Sequence, residues 1–206
     1  MDWNFNVLLR FFYIYTNAMN TQFLQNTVTL FEYYRSLGEK ALAQVPEDKL
    51  TWMPSINSNS LAIMINHLAG NMLSRWTGFL TTDGEKAWRN RDAEFEDPSL
   101  NRNDLMKRWD EGWSCLFHAL RGLNEGDLEK TVYIRNMGQP VHEAISRQLA
   151  HYSYHIGQIV FVSRMIVGED WKSLSIAKGA SASYNKEKFD SEKKNEHFTD
   201  DWTGKK

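Results

Sequence analysis

Apolar and polar positions alternate along the chain with the period of a helix. In NTQFLQNTVTLFEYYRSLGEKALAQV, the set Phe23, Leu24, Thr27, Leu30, Phe31, Tyr34, Leu37, Ala41 and Leu42 recurs at spacings of three and four. That spacing predicts an amphipathic helix over about residues 20–44. Pro46 ends it, and PEDKLTWMPSINSN reads as a connector. Asn57, Ser58, Asn59 and Ser60 are all good N-caps for the apolar run SLAIMINHLAGNMLSRWTGFL, which predicts a second helix over 59–81. The following TTDGEKAWRNRDAEFEDPSL is turn-rich, charged and too long for a simple connection between packed helices. A third helix is predicted over 103–122, with Leu105, Trp109, Gly112, Trp113, Leu116 and Leu120 on its inner side. In LEKTVYIRNMGQPVHEAI the β-prone run Val132 to Ile134 and a turn at Gly138 suggest a small hairpin or extended loop. A fourth helix is expected to start near Pro140 and cover 141–167. No internal repeat and no Gly-rich phosphate loop interrupts this order.

Four long amphipathic helices imply an all-α protein, a four-helix bundle, occupying residues 19–177. The long loop after the second helix can cross the end of such a bundle, so one long crossover is expected. Residues 178–206 turn polar and lysine-rich and form a C-terminal tail, of which the last twenty or so residues are expected to be mobile.

The first residues, MDWNFNVLLRFFYIYTNAMN, are apolar enough to raise the question of targeting. A secretory signal needs a basic start and an unbroken apolar core. Here Asp2 stands at the start, and Arg10 interrupts the apolar run. The run is also shorter than the roughly 20 residues that cross a bilayer. Met19 directly precedes the first regular helical pattern. Residues 1–18 are therefore read as an extension upstream of a natural start at Met19, or else as a segment whose aromatics pack on the bundle.

Composition narrows the function classes. The 206 residues are 42% hydrophobic and 24% charged, with a formal net charge of -2, so nothing global argues for nucleic acid or a membrane as partner. Eight tryptophans favour a packed core with lined pockets. The single cysteine, Cys115, rules out an intramolecular disulfide and leaves little room for a thiolate metal site. A reducing, cytoplasmic setting is the simplest one.

The candidate chemistry lies in the histidines. In HYSYHIGQIV, His151 and His155 stand four apart, one turn apart on the same face of a helix. Two imidazoles so placed can bind one ion, but a catalytic zinc usually takes three protein ligands and keeps an open position. His67 is the best third candidate, since Ile63, Leu68 and Met72 mark its part of the second helix as buried. The alternative is that each is a core histidine bonded to a carbonyl or hydroxyl. His118 and His142 are read as structural, and His197 as solvent-exposed in the tail.

The mid-helix histidine in NHLAGN, followed far downstream by HYSYHIGQI, resembles the DinB/YfiT-like superfamily of metalloproteins. VHEAISRQLAHYSYHIGQI is similar to that family's final helix. More narrowly, NSLAIMINHLAGNMLSRWTGFLTTDGEKAWRNRDAEF and WKSLSIAKGASASYN resemble the DUF1572 subfamily, and the likeness covers about residues 20–188. It implies a bundle in up-down-down-up order, commonly a homodimer. It also implies one divalent metal, zinc or nickel, held by His67, His151 and His155. Relatives of this kind include transferases that work with a low-molecular-weight thiol, such as bacillithiol or mycothiol, and a thiol-dependent isomerase. The DinB name refers to DNA damage, yet this sequence has no basic stripe for DNA.

Around the triad, Asn71, Ser74 and Gly78 fall near the His67 direction at about 100° per residue, and Arg75 lies further round, towards the rim. Ser74 and Gly78 are small enough either to leave room for a ligand or to pack a helix closely. Ala144, Gln158 and Val162 share the face of His151 and His155, and Gln158 can orient a histidine or serve as a polar interface residue. The loop block DGEKAWRNRDAEF brings Trp88, Arg89, Arg91, Asp92 and Glu94. Arg89 or Arg91 could clamp a carboxylate of a small-molecule substrate, or these charges could anchor the loop in an ion-pair network. No glutamate follows His67 at the protease position, which argues against protease-type hydrolysis. A metal on three neutral imidazoles retains its full charge and is suited to binding and ionising a thiol or water. An enzyme of that kind, a metal-dependent transferase, is the first expectation. A non-catalytic metal- or ligand-binding bundle is the second, and a metal-free bundle with core histidines the third.

Overall fold

A computed structural model describes residues 3–204, with side chains described from residue 21 onward. Whether the aromatics of residues 1–18 pack on the rest therefore lies outside the described residues. The described chain is mostly helical, with one small two-stranded sheet. The long helices are α1 (Trp3–Leu42), α2 (Leu61–Trp76), α3 (Arg102–Arg121) and α4 (Val141–Val167). Strands β1 (Thr131–Ile134) and β2 (Met137–Pro140) lie between α3 and α4, and the short helices α5 (Ser181–Asp190) and α6 (Asp200–Thr203) follow. Among the described residues, no helix is long and apolar enough to cross a membrane.

Caps explain where α2 and α3 begin. The Ser60 hydroxyl accepts the Ile63 N–H, and the Asn101 side chain accepts the Asp104 N–H, each satisfying an otherwise unpaired first-turn donor. Helix α2 stops at Trp76 rather than reaching residue 81. Thr77 is extended, and Gly78 has φ +57°, a left-handed conformation that glycine adopts without steric penalty. Gly78 therefore sits past the helix end and not on the His67 face. The hairpin is present, but its turn is not at Gly138, which pairs with Tyr133 inside the ladder. The turn is Arg135–Asn136, both left-handed, and both of their N–H groups donate to the Asp83 carboxylate at 2.8 Å. A side chain more than fifty positions away thus decides the turn.

Contacts give the helix directions. Phe31 meets Tyr152, the Gly38 region meets Ile156, and Gln44 bonds Lys172, so α1 and α4 run the same way. Ala69 meets Gly112 and Thr77 meets Cys115, so α2 and α3 also run together. His67 faces His155 while Asn71 bonds Tyr152, so α2 and α4 are opposed. The loop between α2 and α3 makes this possible. It runs back along α2, from Ser74 bonded to Gly84 to Asn66 bonded to Glu94, and returns the chain to the end where α2 began. There Arg102 donates to the Leu42 and Val45 carbonyls and caps the end of α1.

The core is built on aromatics. Phe31 touches Trp76, Trp113 and Tyr152 at ring-centroid distances of 6.4, 6.3 and 5.8 Å, mostly edge-to-face. Gly112 lets α2 and α3 close up, because a Cβ there would lie 2.9 Å from the Ala69 Cα. The polar segment after residue 178 returns to α1 instead of running free. Phe198 packs on Tyr33, His197 bonds Asn26, Lys40 bonds the Trp202 carbonyl, and Thr199 is fully buried. His197 is consequently half-buried rather than solvent-exposed.

Candidate metal centre

Every residue of α2 from Leu61 to Met72 is buried, His67 among them. Across from it, α4 presents His155, also buried, and His151, half-buried. The three rings meet edge to face, with centroids 5.0 Å apart for His67 and His155, 5.6 Å for His67 and His151, and 4.7 Å for His151 and His155. One nitrogen from each lies within 4.8 Å of the others, and the His151 and His155 Nε2 atoms are 3.1 Å apart. Among the described residues these three form a group whose ligand atoms could hold a metal ion.

Two of the outward nitrogens have their own partners. His155 Nδ1 meets the Gln158 Oε1 at 2.8 Å, and the Gln158 amide donates to the Tyr154 hydroxyl. His67 Nδ1 meets the Glu94 carboxylate at 2.9 Å. Glu94 in turn accepts two bonds from Arg89, at 2.7 and 2.8 Å. The ring of Phe95 lies against His67, and the Arg91 guanidinium sits 5.0 Å from the centroid of that ring.

Burial dominates the electrostatics. It pushes His151 down to about 3, and the neighbouring His155, His67, Arg75 and Arg147 push the same way. Burial and His67 push His155 down to about 4, against the opposing bond from Gln158. Both imidazoles are therefore neutral near pH 7, the form that binds metals. Burial alone would raise Glu94, but the bonds from Arg89 and His67 outweigh it and hold the carboxyl below its ordinary range.

The other expected residues serve different partners. The Asn71 Oδ1 accepts the Tyr152 hydroxyl, which itself accepts the Trp76 indole N–H, all of it buried. Ser74 and Arg75 both donate to the Gly84 carbonyl, and Arg75 also pairs with Glu85, so they fasten the loop. Arg89 is occupied by Glu94 and Glu85, which is the anchoring network. Arg91 is exposed, as are His118 and the tip of the hairpin, while His142 bonds the Leu128 carbonyl. The spacing of residues does not mark Phe95, Gly70 or Tyr152 as parts of the site, nor Glu94 as a partner of His67. The sequence signal for Glu94 is faint, since nothing in its spacing ties it to a histidine 27 positions earlier.

A mostly helical protein carrying three convergent histidines on two facing helices is the class that fold and site define. Residues 18–180 match the family model described as a protein of unknown function, DUF1572, and the chain belongs to that family. Neither the curated proteins nor the solved structures yielded a match.

Proposed function

We propose that this protein is a metal-dependent enzyme of the DinB-like class, most simply a transferase that uses a thiol or water. In this reading His67, His151 and His155 hold one divalent ion, and α1 to α4 form an up-down-down-up four-helix bundle. The parallel pairs α1/α4 and α2/α3 and the opposed pair α2/α4 support that topology.

The observation that carries the metal is the convergence of the three nitrogens within 4.8 Å inside a buried setting. The residues fit the group. Gln158 Oε1 can only accept, so His155 Nδ1 carries the proton and its Nε2 faces inward as a lone pair. Two Nε2 atoms 3.1 Å apart, each able to offer a lone pair, suit a common cation. Nitrogen donors suit Zn²⁺ or Ni²⁺ better than Mg²⁺ or Ca²⁺. When bound, the metal supplies a Lewis acid that lowers the pKa of a thiol or water at its remaining position.

The protein's own residues do the rest. Aromatic packing by Phe95 and Tyr152 keeps bulk water from two sides of the imidazoles. His151 is half-buried, which leaves one side of the triad reachable, as a catalytic site requires and a closed structural site does not. Arg91 stands at the surface over Phe95, where it can meet an anionic group on a small-molecule substrate. The thiol and a homodimer enter this reading from the superfamily resemblance, and the cytoplasmic setting from the single cysteine.

Elemental analysis of protein purified without a His-tag tests the site. The wild type should carry about one zinc or nickel per chain, and His151→Ala should carry little. Equal occupancy in wild type and in all three single histidine variants would remove the metal centre from the proposal. Turnover screens with a low-molecular-weight thiol then separate an enzyme from a metal-binding bundle without catalysis.

A further inference from the structure

Glu94 stands behind His67, not beside the convergent nitrogens. Its carboxylate reaches Nδ1 on one edge of the imidazole, which leaves Nε2 on the other edge as the nitrogen available to an ion. Three features aim it there. Arg89 grips both carboxylate oxygens, and its side chain is only 2% exposed. The neighbour of His67, Asn66, donates to the Glu94 carbonyl and fixes its backbone. Gly70, one turn after His67, has no side chain where the carboxylate lies, and a Cβ there would be 2.3 Å from the Glu94 Oε1.

This arrangement is expensive for packing alone. A buried carboxylate and guanidinium give up hydration that their attraction only partly restores, and apolar residues of similar size would fill the same space. A carboxylate has one chemical effect on a neutral imidazole. It accepts a hydrogen bond from Nδ1–H, and in doing so fixes the tautomer and makes Nε2 the more basic donor.

We propose that Glu94, held by Arg89 in the slot opened by Gly70, is the positioning residue that turns His67 Nε2 into a metal ligand. The proposal rests on the metal centre described above. It extends the site to the α2–α3 loop, which thereby becomes part of the metal-binding machinery and not only a connection. The Glu94 charge is met by Arg89, so the carboxylate acts on the ring without adding net charge beside the metal.

The test uses zinc alone as probe, titrated into metal-free full-length protein in competition with a chromophoric chelator. Glu94→Ala should weaken zinc binding by about 10–100-fold, the usual effect of losing such a partner. Gly70→Ala should weaken it similarly by displacing the carboxylate, although alanine is the better helix former. Glu94→Gln, which keeps an accepting oxygen in the slot, should lose less than Glu94→Ala. Nitrogen NMR of the metal-free protein should show His67 protonated on Nδ1 in the wild type and as a tautomer mixture in Glu94→Ala. If Glu94→Ala does not fold, Gly70→Ala and Glu94→Gln decide the question through the same two readouts. Zinc affinities equal to wild type in these variants would overturn the positioning role and leave the metal centre standing. Weaker binding with an unchanged His67 tautomer would also overturn it. A wild-type protein that binds no zinc would overturn both.

Discussion

Replacing Arg89 by methionine would isolate the energetics of the ion pair behind the site. Arg89 and Glu94 are 2% and 8% exposed at their side chains, and two short bonds join them. Methionine fills a similar volume and carries no charge. The variant then leaves Glu94 buried with only His67 as partner. Breaking a buried pair from one side destabilises by about 3–5 kcal/mol, because the remaining charge loses its compensation. The doubly changed Arg89→Met/Glu94→Met should recover much of that loss, since apolar replacement of both partners is often close to neutral. Urea unfolding in the presence of a chelator measures these differences without the added stability of bound metal. The pH dependence has a definite sign. The folded carboxyl of Glu94 lies below its unfolded value, so its contribution is present above about pH 4.3 and fades as pH falls further. In Arg89→Met the buried carboxyl is no longer held down, so it can take up a proton at higher pH. The gap between wild type and variant should therefore narrow on acidification. A loss under about 1 kcal/mol at pH 7 would place the pair in the range of a surface salt bridge and refute the reasoning. A double variant as unstable as the single one would refute it as well.

Tyr152→Phe removes the hydroxyl that joins the Trp76 indole to Asn71, and leaves two buried polar groups unpaired. It should lower stability by about 1–3 kcal/mol in the same urea assay. His118→Ala and His142→Ala should retain wild-type metal content by elemental analysis, because neither belongs to the convergent group. Metal-free protein should lose stability steadily as pH falls from about 6.5, since the unfolded chain takes up protons that buried His151 and His155, pushed down to about 3 and about 4, refuse. A urea midpoint that stays level or rises from pH 7 to pH 5 would contradict that burial. Light scattering at micromolar concentration checks the homodimer, for which a mass above that of one chain is expected.

The helices were legible in the sequence because an amphipathic period reports which side of a helix leaves water, and the burial of apolar surface is the dominant force that drives folding. Leu105, Trp109, Gly112, Trp113, Leu116 and Leu120 are all buried on α3, as their spacing indicates. The pair His151 and His155 was legible for the same local reason, since four residues make about one turn. Helix ends were less so. The spacing cannot show that α2 stops at Trp76, because the left-handed backbone at Gly78 is set by the loop beyond it. The hairpin turn is hidden for a related reason: Arg135 and Asn136 take left-handed conformations in the grip of Asp83, and periodicity carries no trace of that side chain. The return of the C-terminal segment to α1 was equally hidden, as a few anchors such as Phe198 and Thr199 outweigh a polar composition. Only the tertiary structure decided which charge on the α2–α3 loop meets His67. Arg89, Arg91, Asp92 and Glu94 look alike in a charged stretch. The choice among them was made by the missing Cβ of Gly70 and by the path of the loop along α2, which are matters of shape between distant segments.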